Sequence, residues 1–71
     1  MISVQPDLST FMRLAGIIMQ QDDSQVIIED LRQGETFFVS KGQDILGARL
    51  VDVFEDKAVF IYNNERVELT P

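Results

Sequence analysis

Beyond residue 10 the chain breaks into short apolar runs, each rich in Val, Ile, Phe or Leu and closed by turn-forming residues. Six runs can be read: 11–19, 25–30, 35–40, 48–54, 57–62 and 66–70. The polar stretch Gln20-Gln21-Asp22-Asp23-Ser24 separates the first two, and Leu31-Arg32-Gln33-Gly34 the next two, with Gly34 free to take a positive φ. A longer connection, residues 41–47, leads into the fourth run, and Glu55-Asp56 and Asn63-Asn64-Glu65 make turns on either side of the fifth. Residues 1–10 read as a lead-in, where Pro6 and the cluster of Asp7, Ser9 and Thr10 discourage regular pairing. The best helix candidate, residues 7–18 with Asp7 as N-cap, carries Gly16 inside it and the β-branched pair Ile17-Ile18. A single helical turn around residues 6–10 is allowed; the rest is predicted to be all-β, with short hairpin connections.

The last three runs alternate with period two, and Val51, Val53, Val59, Ile61, Val67 and Leu69 form the predicted core set. Arg66, Glu68 and Thr70 fall between the apolar positions of the last run, as a half-buried strand requires. The opposite parity is less polar than a one-sided sheet needs: Leu50 and Phe54 on run four, Ala58, Phe60 and Tyr62 on run five. Run one is mixed as well, with Leu14 and Ile18 on one face and Phe11, Ala15, Ile17 and Met19 on the other. A chain this short cannot bury all of these. Either bulges let a closed, barrel-like sandwich bury both parities, or some apolar surface and one strand edge are kept for a partner.

Composition narrows the chemistry. Seventy-one residues, 45% hydrophobic and 25% charged, suit one folded domain over residues 11–71. At about 0.05–0.15 kcal/mol per residue, its stability is on the order of 4–10 kcal/mol. Twelve carboxylates against six Lys and Arg give a net charge of −6, which argues against a surface built for nucleic-acid phosphates or an anionic bilayer. No stretch approaches the ~20 apolar residues of a membrane span, and residues 14–19 lack the flanks of a signal peptide. The absence of Cys and His excludes disulfides, thiolate chemistry, imidazole acid–base catalysis and the usual zinc ligand sets. Asp22-Asp23-Ser24 lacks the alternating ligands, central Gly and closing Glu of a calcium loop, and Ser9, Ser24 and Ser40 have no imidazole to activate them. No catalytic activity, metal or cofactor is expected. Phe38, Phe60 and Tyr62 could serve as a stacking platform for nucleic acid, but the basic residues are scattered along the chain.

The order of the apolar and glycine positions carries a resemblance. Leu14-x-Gly16-x-Ile18 is followed by Val26-Ile27-Ile28-Glu29-Asp30, Phe38-Val39, Gly42-x-x-Ile45 and Gly47-Ala48-Arg49-Leu50-Val51-x-Val53. The pattern closes with Asp56-Lys57-Ala58-Val59-Phe60-Ile61 and Glu65-x-Val67-x-Leu69. Over residues 11–70 this resembles the homology region of the inner-membrane protein C of the bacterial type II secretion system. A related domain occurs in the type IV pilus lipoprotein that contacts its secretin. The resemblance implies six short strands in two three-stranded antiparallel sheets, packed as a small sandwich. It also implies a periplasmic domain that binds the N-terminal domain of the outer-membrane secretin, links the two membranes and meets other inner-membrane secretion components. Family members carry a membrane anchor and linker ahead of this domain and often a further domain after it. These residues hold neither, so the chain is expected to be an excised piece or a divergent stand-alone member, with no membrane contact of its own. The stretch before Gly42 is also longer than the family's usual approach to that glycine.

An edge in a small sandwich is a template for a partner strand. The expected contact strand is run one, with Arg13, Leu14, Ala15, Gly16, Ile17 and Ile18 as the candidate partner-binding residues. Core packing competes with contact for Leu14 and Ile18, and Gly16 is expected to serve a bulge or close sheet approach. The competing classes are a small SH3-like barrel binding RNA or a ribosomal partner, and a structural subdomain of a larger enzyme.

Overall fold

A computed structural model describes residues 8–71, apart from the side chain of Ser9. The expected turn before run one is present as a 3₁₀ turn over Leu8–Thr10, while Pro6 and Asp7 lie outside the described residues. Seven strands follow: β1 Met12–Ile18, β2 Gln25–Asp30, β3 Glu35–Ser40, β4 Asp44–Ile45, β5 Ala48–Val53, β6 Ala58–Tyr62 and β7 Glu65–Leu69. They form two antiparallel sheets, one in the order β1-β2-β3 and the other β4-β5-β6-β7. The all-β class and the pair of antiparallel sheets are as predicted; the second sheet has four strands where three were expected. The extra strand comes from the 41–47 connection folding back on β5. Gly42 N–H donates to Leu50 O at 2.7 Å and Leu50 N–H to Gln43 O at 3.0 Å. Leu46 and Gly47, both at positive φ, then turn the chain tightly into β5. A two-residue strand is too short for alternation to show.

The core lies between the sheets. Met12, Leu14, Val26, Ile28 and Val39 from the first meet Ile45, Ala48, Leu50, Ala58, Phe60 and Leu69 from the second. Leu8 and Phe11 join them, so the end of the lead-in is part of the core. The 3₁₀ turn lies against both β1 and β7 and closes one side of the sandwich.

The predicted core set is corrected on β5 and β6. Leu50, Ala58 and Phe60 point inward, Ile61 is 37% exposed and Val51 is half-buried; of the set, Leu69 is a buried member of the core cluster and Val53 and Val67 are half-buried and packed against it. Val59 is buried yet lies outside that cluster, on the outer face. The physical reason is a bulge: Leu50 pairs with Phe60 and Asp52 with Val59, leaving Val51 as the extra residue. Residues on either side of it change parity, so Leu50 and Val53 both turn inward although three positions apart. A second bulge does the same in β1, where Leu14 pairs with Ile28 and Gly16 with Ile27. Leu14 and Ile17, assigned to opposite faces by strict alternation, thereby reach the same core. Bulges burying both parities were one of the two arrangements the pattern allowed.

Candidate functional site

Among the described residues β1 pairs on one side only, with β2, and is an edge of its sheet. Which backbone groups it presents follows from two hydrogen bonds elsewhere. Leu31 N–H donates to Phe11 O at 2.9 Å, making that pair hydrogen-bonded; alternation makes Arg13 and Glu29 another and turns the N–H and C=O of Met12 and Leu14 away from β2. On the far side of the sheet, Ser40 N–H points outward to Gln43 Oε1 at 2.8 Å. Alternation along β3 and β2 then directs Val26 towards β3, so its β1 neighbour Ile17 also presents N–H and C=O to the free edge. Met12, Leu14 and Ile17 are the edge's backbone donors and acceptors, and their side chains face the core.

The other edges are blunted. β4 has two residues, β7 carries Glu65, Arg66 and Glu68, and the last amide of β3 is capped by Gln43. β1 bears one charge, Arg13, and no carboxylate, in a chain of net charge −6. Arg13 is exposed and bridges Glu29 at 3.1 Å on the outer face. Such a pair is worth little in stability and leaves the guanidinium's remaining donors accessible.

The start of β1 is held by the β2–β3 turn. Asp30, 2% exposed at the end of β2, accepts from Arg32 N–H at 2.9 Å and Gln33 N–H at 3.3 Å, and its carbonyl accepts from Gly34 N–H at 2.7 Å. The turn so fixed presents Leu31 N–H to Phe11 and stacks Arg32 over the Phe11 ring, 4.6 Å from its centroid. Phe11 in turn meets Tyr62 of β6 at 5.8 Å between ring centres. One buried carboxylate therefore organises the anchor of the edge strand. The apolar pattern alone does not single out Asp30; a carboxylate closing a strand four residues before a glycine is the signal that marks it.

The six candidate contact residues divide by position. Arg13 and Ala15 are exposed, Gly16, Ile17 and Ile18 are half-buried, and Leu14 is a core side chain, 1% exposed, that offers a partner only its backbone. Gly16 allows close approach: a Cβ there would lie 3.2 Å from Ile27 Cδ1. Register places Phe38 of β3 on the other side of Ile27, forming an outer row Gly16–Ile27–Phe38 that ends in Phe38, 61% exposed, the most exposed large apolar side chain among the described residues. Spacing alone did not reveal that row, because it exists only across strands.

The imagined nucleic-acid platform is not assembled. Phe60 is buried, Tyr62 is half-buried on the inner face, and Phe38 stands on the outer face of the other sheet. The basic side chains are compensated locally: Arg13 by Glu29, Lys41 by Asp52, Arg49 by Asp44, Lys57 and Arg66 by Glu68, and Arg32 by the Phe11 ring. A hydrogen bond from Arg49 to Asp44, reinforced by their opposite charge, holds that guanidinium above its ordinary pKa. Compared with known proteins, the chain matches no family model, no curated protein and no solved structure.

Proposed function

We propose that the chain is a non-catalytic interaction domain of a type II secretion or type IV pilus machine. It binds the N-terminal periplasmic domain of the outer-membrane secretin by strand addition at β1. On this reading it acts in the periplasm, tethered in its parent assembly to the inner membrane, where other secretion components are further partners. The observation that carries the reading is the β1 edge itself: three core-facing residues, Met12, Leu14 and Ile17, present backbone groups that no strand among the described residues pairs, on a strand without a carboxylate. Backbone bonds supply the affinity, while Arg13, Ala15 and Gly16 on and beside the outer face set register.

Titrating the isotope-labelled domain with a secretin N-terminal domain tests this. The largest amide shifts are expected over residues 13–18, with a micromolar Kd, about −8 kcal/mol. Arg13→Ala weakens binding modestly. Replacing the Leu14 amide by an ester deletes one outward N–H, keeps the core side chain and weakens binding more. Shifts centred on Phe38 and Phe54 would assign the contact to apolar surface; none at millimolar partner would remove the secretin.

A further inference from the structure

The outer face of the β4–β7 sheet carries a charge pattern that strand addition at β1 does not use. Cross-strand register lines up Arg49 of β5, Ile61 of β6 and Arg66 of β7 in one row. Across the β5 bulge the next row is Asp52, Val59 and Glu68. Each row is an apolar residue of β6 bracketed by two like charges, basic in one and acidic in the other. These positions face away from the core, since Leu50, Phe60 and Leu69 take the inward parity. Beside the basic row lies a shallow cleft of about 460 Å³ whose walls include Val51, Ile61, Arg49 and Asn63.

Such a face is complementary to itself. A twofold axis lying between the rows and parallel to them turns the basic row of one copy onto the acidic row of a second. Arg49 then meets the partner's Asp52 and Arg66 the partner's Glu68, while Ile61, 37% exposed, lies against the aliphatic parts of those side chains, the partner's Val59 being covered within its own copy. The bridges these groups make within one copy, Arg49–Asp44 at 3.0 Å, Arg66–Glu68 at 3.2 Å and Lys41–Asp52 at 3.8 Å, are exposed and exchange partners at little cost. Counting Lys41, Lys57 and Asp44, which brace the rows, the face has four cations and three anions on a chain of net charge −6. Its charges nearly balance, so two copies repel each other less here than the net charge of the chain alone would give.

We infer that a second copy of this chain docks on this face, sheet against sheet, with the two sets of strands antiparallel. Three strands about 4.8 Å apart and roughly 16 Å long offer on the order of 250 Å² per copy, below the ~800 Å² per partner of a standard interface. The pair is weak and fills where the chain is concentrated or held side by side in an assembly, leaving β1 on the other sheet free.

Sedimentation of the 71-residue chain from about 20 μM to about 2 mM at low salt tests the inference. The expected result is a dimer that weakens as NaCl is raised. The double variants R49E/R66E and D52K/E68K, folded by circular dichroism, should each be monomeric. Mixed in equal amounts they should associate about tenfold more tightly than either alone, because every facing pair is again of opposite charge. Should a double variant fail to fold, Ile61→Lys keeps the test open: it should abolish the dimer while circular dichroism shows the chain still folded. Concentration-dependent amide shifts should map to residues 49–52, 59–61 and 66–68. A wild-type chain that stays monomeric throughout, variants that self-associate as it does, a mixture no tighter than its parts, or shifts centred on β1 would each overturn the inference.

Discussion

Asp30→Ala removes the one buried charged side chain among the described residues, and its effect can be worked out from the turn it organises. The carboxylate accepts two backbone N–H groups, from Arg32 at 2.9 Å and Gln33 at 3.3 Å. Hydrogen bonds to a charged acceptor contribute roughly 1.5–3 kcal/mol each when shielded, but Arg32 and Gln33 are exposed, so water replaces part of what is lost. Release of a buried carboxylate's desolvation offsets a further part. About 2 kcal/mol remains, a large share of a total on the order of 4–10 kcal/mol. At about 4–8 °C per kcal/mol for a domain of this size, Tm should fall by roughly 8–16 °C. Asp30→Asn keeps an acceptor oxygen and should lose less than half as much, while Asp56→Ala, in an exposed turn, should change nothing. Because the turn also holds Phe11 through Leu31 and Arg32, Asp30→Ala should broaden amide signals at the start of β1. Thermal melts followed by circular dichroism and an amide spectrum decide the matter. If Asp30→Ala melts like the parent, or Asp30→Asn falls as far, the turn bonds do not hold the edge strand.

Leu50→Asp, at a fully buried position, would place a carboxylate without a partner in the core and should unfold the domain, whereas Ile61→Asp should cost no more than about 0.5 kcal/mol in a dilute melt. Equal damage from both would contradict the inward parity assigned to β5 and β6. Gly34→Ala has open space around it but sits at φ +72°, so it should cost about 1–2 kcal/mol; Gly16→Ala meets only the movable end of Ile27 and should cost less than that. The reverse order in urea unfolding would refute the backbone argument. With no His and no Cys, Tm should be flat between about pH 6 and 8 and unchanged by EDTA; a chelator-induced shift would reveal a bound metal.

Strand positions were legible because turn chemistry punctuates this chain. Gln25–Asp30 and Glu35–Ser40 match the second and third apolar runs to the residue, and Gly34 adopts the positive φ its place between them requires. Which face is buried was not legible on β5 and β6. Val51, Val53, Val59 and Ile61 alternate perfectly, but the bulge at Val51 resets the phase, and Ala48, Leu50, Ala58 and Phe60 fill the core from the other parity. Nothing in the apolar pattern marks an inserted residue when both parities are apolar. The choice of run one as an edge agrees with its place in the sheet, yet Leu14 shows how side chain and backbone part company there. Its side chain is committed to the core and its N–H to the outside. The Phe38 and Ile27 row beside the edge, and the charge rows on the opposite sheet, arise from pairings between strands, which one chain read in order does not contain.

Amide hydrogen exchange, free and with a secretin N-terminal domain, tests strand addition at β1 most directly. In the free domain the N–H groups of Leu14 and Ile17 point away from β2 and should exchange quickly, while that of Arg13, bonded across to Glu29, exchanges slowly. Saturating partner should slow exchange at Leu14 and Ile17 by about tenfold or more and leave the β6 and β7 amides unchanged. Protection that appears elsewhere, with Leu14 and Ile17 still exchanging at their free rates, would mean that the partner does not pair with this edge.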